Sequence, residues 1–150
     1  MNDRILRAAL VALSLAGAAV SGYILYARWT DAGLFCSTGG CETVQSSEYA
    51  QLLGVPVAAF GLVGYLVMGA LASARDPRAR TAVASLALGA TGFGGYLLVI
   101  QLTVIDAVCA WCLASDAISS LIAIVALARL LQPDRRSPGR YDTKLGTAES

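Results

Sequence analysis

Cys109-Ala-Trp-Cys112-Leu-Ala-Ser-Asp116-Ala-Ile-Ser-Ser-Leu-Ile-Ala-Ile-Val-Ala-Leu-Ala-Arg129-Leu-Leu131 is a Cys-x-x-Cys pair that runs straight into an apolar stretch, Leu113 to Leu131. A hydrocarbon core about 30 Å thick is crossed by about 20 apolar residues in a helix, so this stretch alone reads as a membrane span. Three more precede it, at about Ile5 to Ala27, Val55 to Ala74 and Ala82 to Ile105. Lipid offers no water to satisfy backbone N–H and C=O groups, so runs of this length form helices. The 150 residues are 57% hydrophobic and 14% charged, against roughly a quarter charged in soluble domains. The expectation is an all-α integral membrane protein, a four-transmembrane-helix bundle with one large extracytoplasmic loop between helices 1 and 2.

That loop, Arg28 to Gly54, holds Cys36, Gly39, Gly40, Cys41 and Ser46-Ser47. The second and third spans meet across the basic turn Arg75-Asp-Pro-Arg-Ala-Arg80, where Pro77 discourages helix continuation. The third and fourth meet across Asp106 to Cys109. Residues 1–131 form the membrane domain, and residues 132–150 read as a polar, disordered tail.

Positive charge in short flanking segments marks the cytoplasmic side. Ten of the 11 basic residues, Arg4, Arg7, Arg75, Arg78, Arg80, Arg129, Arg135, Arg136, Arg140 and Lys144, fall on one side of a four-span arrangement, and Arg28 on the other. Both termini are therefore expected in the cytoplasm of a cell inner or plasma membrane, with both cysteine pairs outside. A cleaved signal peptide ending near Ala16-Gly-Ala18 is the weaker reading, because it strands the apolar segment Ala19 to Ala27. The net charge of +1 and the lack of a long basic run give no reason to expect nucleic acid as a partner.

The chain contains no histidine, so its chemistry rests on other groups. Four cysteines fall as Cys36-x4-Cys41 and Cys109-x2-Cys112. A cysteine pair at a helix start sits in the partial positive charge of the N-terminus, which stabilises the reactive thiolate. The glycine-containing loop around Cys36 and Cys41 is expected to be flexible enough for its sulfurs to visit different partners. Together the pairs suggest a thiol–disulfide relay. Structural disulfides on an exported loop, a four-thiolate zinc site and cysteines serving as small buried hydrophobes are the competing explanations.

The order Cys36-x4-Cys41-x5-Ser47, then Gly54-Val-Pro56 and Gly61, then Cys109-Ala-Trp-Cys112 opening the last span, resembles the bacterial homologues of vitamin K epoxide reductase. Unrelated four-span disulfide oxidases carry their Cys-x-x-Cys in the first external loop instead. The resemblance implies an enzyme that oxidises a thioredoxin-like protein in the cell envelope and passes electrons to a quinone, ubiquinone or menaquinone. It implies that Cys109 and Cys112 react with quinone, that Cys36 and Cys41 take electrons from the partner, and that Ser47 lies in a short helix covering the quinone pocket. With a polar tail where some members carry a fused thioredoxin-like domain, the partner is expected to be a separate protein. Animal enzymes have a tyrosine four residues after the last motif cysteine; this chain has Asp116, which leaves disulfide oxidation in place but weakens the case for vitamin K epoxide as substrate. A quinol-driven reductase and a non-enzymatic scaffold are the alternatives.

Asp116 shares a helix face with Cys112. An acid inside a span is costly, so it reads either as a proton donor to reduced quinone or as a neutral acid bonded to Ser115 or Ser119. Trp111 and Trp29 are candidates for stacking on a quinone, although aromatic residues are ordinary at the membrane boundary. Asp106 reads as an interfacial loop acid. Gly61, Gly64, Gly89, Gly92, Gly94 and Gly95 read mainly as helix-packing positions. Val44, Leu52 and Leu53 suggest a short amphipathic piece lying on the bundle.

Overall fold

The computed structural model describes residues 3–30 and 33–132; the expected tail from residue 133 onward lies outside them. Helix α1 (Asp3–Thr30) is followed by a short helix α2 (Cys41–Ser46), a 3-10 turn (Glu48–Ala50) and a two-stranded antiparallel hairpin, β1 (Gln51–Leu52) and β2 (Val55–Pro56). Helix α3 (Val57–Ser73), helix α4 (Pro77–Ile100) and helix α5 (Ala110–Leu130) complete the bundle, and Gln101–Ile105 prolong α4 as a wider π turn. Segments 3–30, 77–105 and 110–130 are long and apolar enough to cross a membrane, and α3 is a shorter apolar helix of 17 residues. The chain is a helical membrane protein.

The apolar stretches all become helix, with different ends. The helix breaks before Pro77 as expected, α3 ending at Ser73, and Pro77 itself opens α4, because a proline in the first helical turn loses no intrahelical donor and its φ already suits the helix. Asp76 caps that start, its carboxylate accepting from Arg78 N at 3.1 Å. The core is made where α1, α3, α4 and α5 meet, around Leu10, Tyr65, Met68, Val83, Ala87, Ile122 and Ala126. Small residues allow this closeness: a Cβ added at Gly17 would stand 2.5 Å from the Tyr65 ring. Gly94 is likewise buried, but Gly89, Gly92 and Gly95 face outward and have nothing within 4 Å of an added Cβ.

Charges tie the helix ends at the pole opposite the cysteines. Arg129, only 1% exposed, donates from Nε to Asp3 at 2.8 Å, and Arg80 reaches the same carboxylate at 3.5 Å. Arg7 donates to the carbonyls of Ala72 and Ser73 at the end of α3. One acid and three arginines thus join the ends of α1, α3, α4 and α5.

At the cysteine pole, only Val44 of the expected amphipathic piece packs on the bundle. Leu52 is 48% and Leu53 96% exposed. They belong to the hairpin, whose turn places Leu53 (φ 54°) and Gly54 (φ 80°) both in the left-handed region. Two consecutive positive φ values are what a tight hairpin turn demands, and asparagine is the usual first residue there.

Candidate redox site

Cys109 immediately precedes α5, and its sulfur accepts from Cys112 N at 3.3 Å, so it caps the helix that carries its partner. Its own backbone N–H donates to Gln101 Oε1 at 2.9 Å. Gln101 is itself buried on the π turn, so the widened end of α4 fixes the start of α5. The Cys109 thiol is held below the ordinary thiol range, at about 6. Hydrogen bonding from the Cys112 side chain is the main cause, outweighing burial, with help from the Cys112 backbone N–H, the Gln45 side chain and the Trp111 backbone N–H.

Cys36 and Cys41 are joined by a disulfide, while Cys109 and Cys112 are free thiols. The loop pair is packed down on the thiols. Cys41 and Cys109 are both fully buried in one cluster with Val44, against which Cys36, Cys112 and Trp111 pack. Gly40 explains the closeness, since a Cβ there would stand 2.6 Å from the Val108 carbonyl oxygen. Thr38 donates to the same carbonyl at 2.8 Å and lies 3.1 Å from Cys36 Sγ. Of the two loop sulfurs, only that of Cys36 belongs to a partly exposed residue.

Below the thiols lies a cavity of about 190 Å³ whose walls include Cys112, Ser47, Gln45, Asp116, Tyr65 and Phe60. Ser47 lies between α2 and the 3-10 turn, donating to Val44 O at 2.6 Å, so the segment over the cavity is two short turns with Ser47 at their junction. Asp116 points at α4, where Gly94 leaves room: any Cβ there would collide with the carboxylate. Ser119 donates to the backbone carbonyl of Asp116, and Ser115 is taken by Tyr65 OH, 2.9 Å from its hydroxyl and 2.7 Å from its carbonyl. Gly61 and Gly64 also line the cavity.

Trp111 does not reach this cavity. Its indole N–H donates to Phe35 O at 2.8 Å and its ring packs on Tyr23 at 4.8 Å. Lying one residue before Cys112, it points off the cavity face of α5, and it fastens the loop strand that leads to Cys36. Trp29 is exposed. Asp106, with φ 53°, sits at the rim of a separate outer groove beside Thr38 and Val108.

Two contributors escape a reading of the sequence. Gln101 is one; Gln45, whose Nε2 approaches Cys112 Sγ at 3.5 Å, is the other. The one hint for Gln45 is its spacing four residues after Cys41, which puts both on one face of α2.

Apolar helices that keep a disulfide packed against a thiol pair, with a cavity at the second thiol, define a membrane thiol–disulfide oxidoreductase. The sequence model of the vitamin K epoxide reductase family matches residues 8–127, from the second turn of α1 to the last turn of α5. The chain belongs to that family, whose members are membrane thiol oxidoreductases associated with quinones.

Proposed function

We propose that this protein oxidises a separate thioredoxin-like protein outside the cytoplasm and passes its electrons to a quinone, in support of disulfide-bond formation. The observation that carries the reading is the packing of Cys41 on Cys109, with Cys36 reachable on one side and Cys112 lining a cavity on the other.

All four long helices cross the membrane, the apolar run of α3 being extended by Leu52 and Val55 of the hairpin. The basic residues put both termini and the α3–α4 turn in the cytoplasm and both cysteine pairs outside. Residues 1–131 act as the membrane domain and residues 132–150 as its tail.

The partner's dithiol reduces the Cys36–Cys41 disulfide, starting at Cys36. The resulting Cys41 thiolate attacks Cys109 of an oxidised Cys109–Cys112 pair, releasing Cys112 as a thiolate. Cys36 then attacks Cys41, which restores the loop disulfide and frees Cys109. The outcome is the arrangement of this structure, a loop disulfide over two thiols. Cys109 and Cys112 next close their own disulfide, giving up two electrons and two protons.

A quinone in the cavity supplies the sink for those electrons and protons. The fit is favourable: the walls are largely apolar, and Cys112, Asp116 and Ser47 are among the residues that line them. Phe60 of α3 and Phe93 of α4 flank it and are 49% and 42% exposed, so a lipid-soluble molecule can enter from the side between these helices. Ser47 and Asp116 would hold the head group, with Asp116 handling a proton.

The test mixes purified protein, a reduced thioredoxin-like protein and ubiquinone or menaquinone, and follows quinone absorbance. Quinone loss matched one-to-one by partner disulfide supports the reading; no loss with several partners and both quinones refutes it.

A further inference from the structure

We propose that Gln45 is a positioning residue for Cys112, its side-chain amide holding the sulfur toward the cavity and sheltering the negative charge that appears there when the thiol proton leaves. The proposal deepens the reading above, because it rests on Cys112 being the sulfur that delivers electrons.

The geometry has three parts. Gln45 Nε2 lies 3.5 Å from Cys112 Sγ, within reach of a hydrogen bond to sulfur. The amide is delivered by a clamped backbone: Arg28 Nη1 donates to the Gln45 carbonyl at 2.6 Å, and Gly40 O accepts from Val44 N at 3.0 Å at the start of the same short helix. Gln45 also lies one turn after Cys41, so a single helical turn carries both the loop sulfur buried against Cys109 and the amide aimed at Cys112.

This arrangement separates two thiols that are three residues apart. Cys109 has its backbone N–H bound by Gln101 and its sulfur turned toward Cys41. Cys112 lines the cavity, and Gln45 brings a donor to it from outside α5. A neutral amide suits this position because it stabilises a thiolate without trapping it, whereas a cation would resist electron release and an apolar side chain would leave the charge bare in a poorly hydrated site. The other titratable groups near Cys112 are Cys109 and Asp116 on its own stretch of chain, and Tyr49 and Tyr65, which line the same cavity from the cap and from α3. Of these, Cys109 is also reached by the Gln45 side chain, so the test removes that thiol and reads Cys112 alone.

The experiment isolates Cys112 in a Cys109→Ser protein, in which the loop disulfide is retained and Cys112 is the single free thiol. Its alkylation by iodoacetamide is followed by mass spectrometry across pH, with Gln45, Gln45→Leu or Gln45→Glu. A hydrogen bond to a charged group is strong enough that losing it should slow alkylation about tenfold at fixed pH. The half-maximal rate should move to higher pH in Gln45→Leu and further in Gln45→Glu, where the carboxylate repels the thiolate. Unchanged profiles in both variants overturn the proposal, as does faster reaction in Gln45→Glu.

A quinone assay with the Cys109-containing protein adds a second arm. Gln45→Leu should lower kcat about tenfold with KM changed less than about twofold. A change confined to KM would make Gln45 a wall residue only and would also overturn the proposal. Alkylation needs no quinone, so wild-type protein that reduces no quinone would refute the functional reading while the role of Gln45 was still decided.

Discussion

At the residue scale the two thiols differ in what surrounds them, and the difference predicts how each responds to change. Cys112→Ala should abolish quinone reduction while a Cys41–Cys109 disulfide accumulates, visible as a shifted peptide mass without reductant; full turnover in that variant would sink the relay. Because the Cys109 thiol is held at about 6, its thiolate predominates at neutral pH. Exchange between Cys109 and the loop disulfide should therefore be half-maximal near that pH, level off above it and fall as the solution is acidified. Since Cys112 is the chief cause, Cys112→Ala should move this midpoint upward, toward the ordinary thiol range, in acid-quenched exchange experiments. Replacing Ser47 by alanine or Asp116 by asparagine should weaken quinone turnover more than partner exchange. The cysteines themselves are legible in the sequence because paired spacing is rare by chance. Gln45 and Gln101 are not, because an isolated amide carries no pattern until the fold brings it to a sulfur or an N–H.

At the element scale, long helices announce themselves by length of apolar run, and short ones do not. The four runs are readable to within a few residues, yet α2 has only six residues and no apolar period, and it is held by burying Cys41 and Val44 against the bundle. Its existence is a tertiary fact. Pro77 marks the break between α3 and α4 in the sequence, but that α4 begins on the proline itself, under the Asp76 cap, is seen only in the structure. Asp76→Ala should therefore lower stability by about 1 kcal/mol, read as a reduced Tm in detergent. An unchanged Tm would mean that packing alone fixes the start of α4.

At the scale of the whole molecule, the chain has two poles with different roles. One pole carries the four cysteines; the other is fastened by Asp3, Arg7, Arg80 and Arg129. Arg129 is buried, and its Nη1 and Nη2 find no hydrogen-bond partner among the described residues, so Asp3 offsets much of the cost of burying that charge. Asp3→Asn should lower stability by about 2 kcal/mol by weakening the pairing of a buried cation. Adding Arg129→Met should recover most of the loss, because an apolar side chain of similar length needs no counter-charge. Additive losses in the double variant would contradict this account. The excess of arginine at this pole is visible in the sequence; its use as a clasp is not, because Asp3 and Arg129 lie far apart along the chain.

The 17 residues of α3 stand beside 28 in α1 and 24 in α4. At 1.5 Å per residue α3 is about 25 Å long, less than an average hydrocarbon core. With α3 crossing the membrane as proposed, a bilayer would thin around this one side of the protein, or the hairpin would sink until Leu53 lies among the acyl chains. The same hairpin is joined to the segment over the cavity, so under that proposal acyl chain length would act on quinone turnover. Reconstituted in lipids of increasing chain length, the protein should lose quinone turnover in the thicker bilayers before it loses its fold.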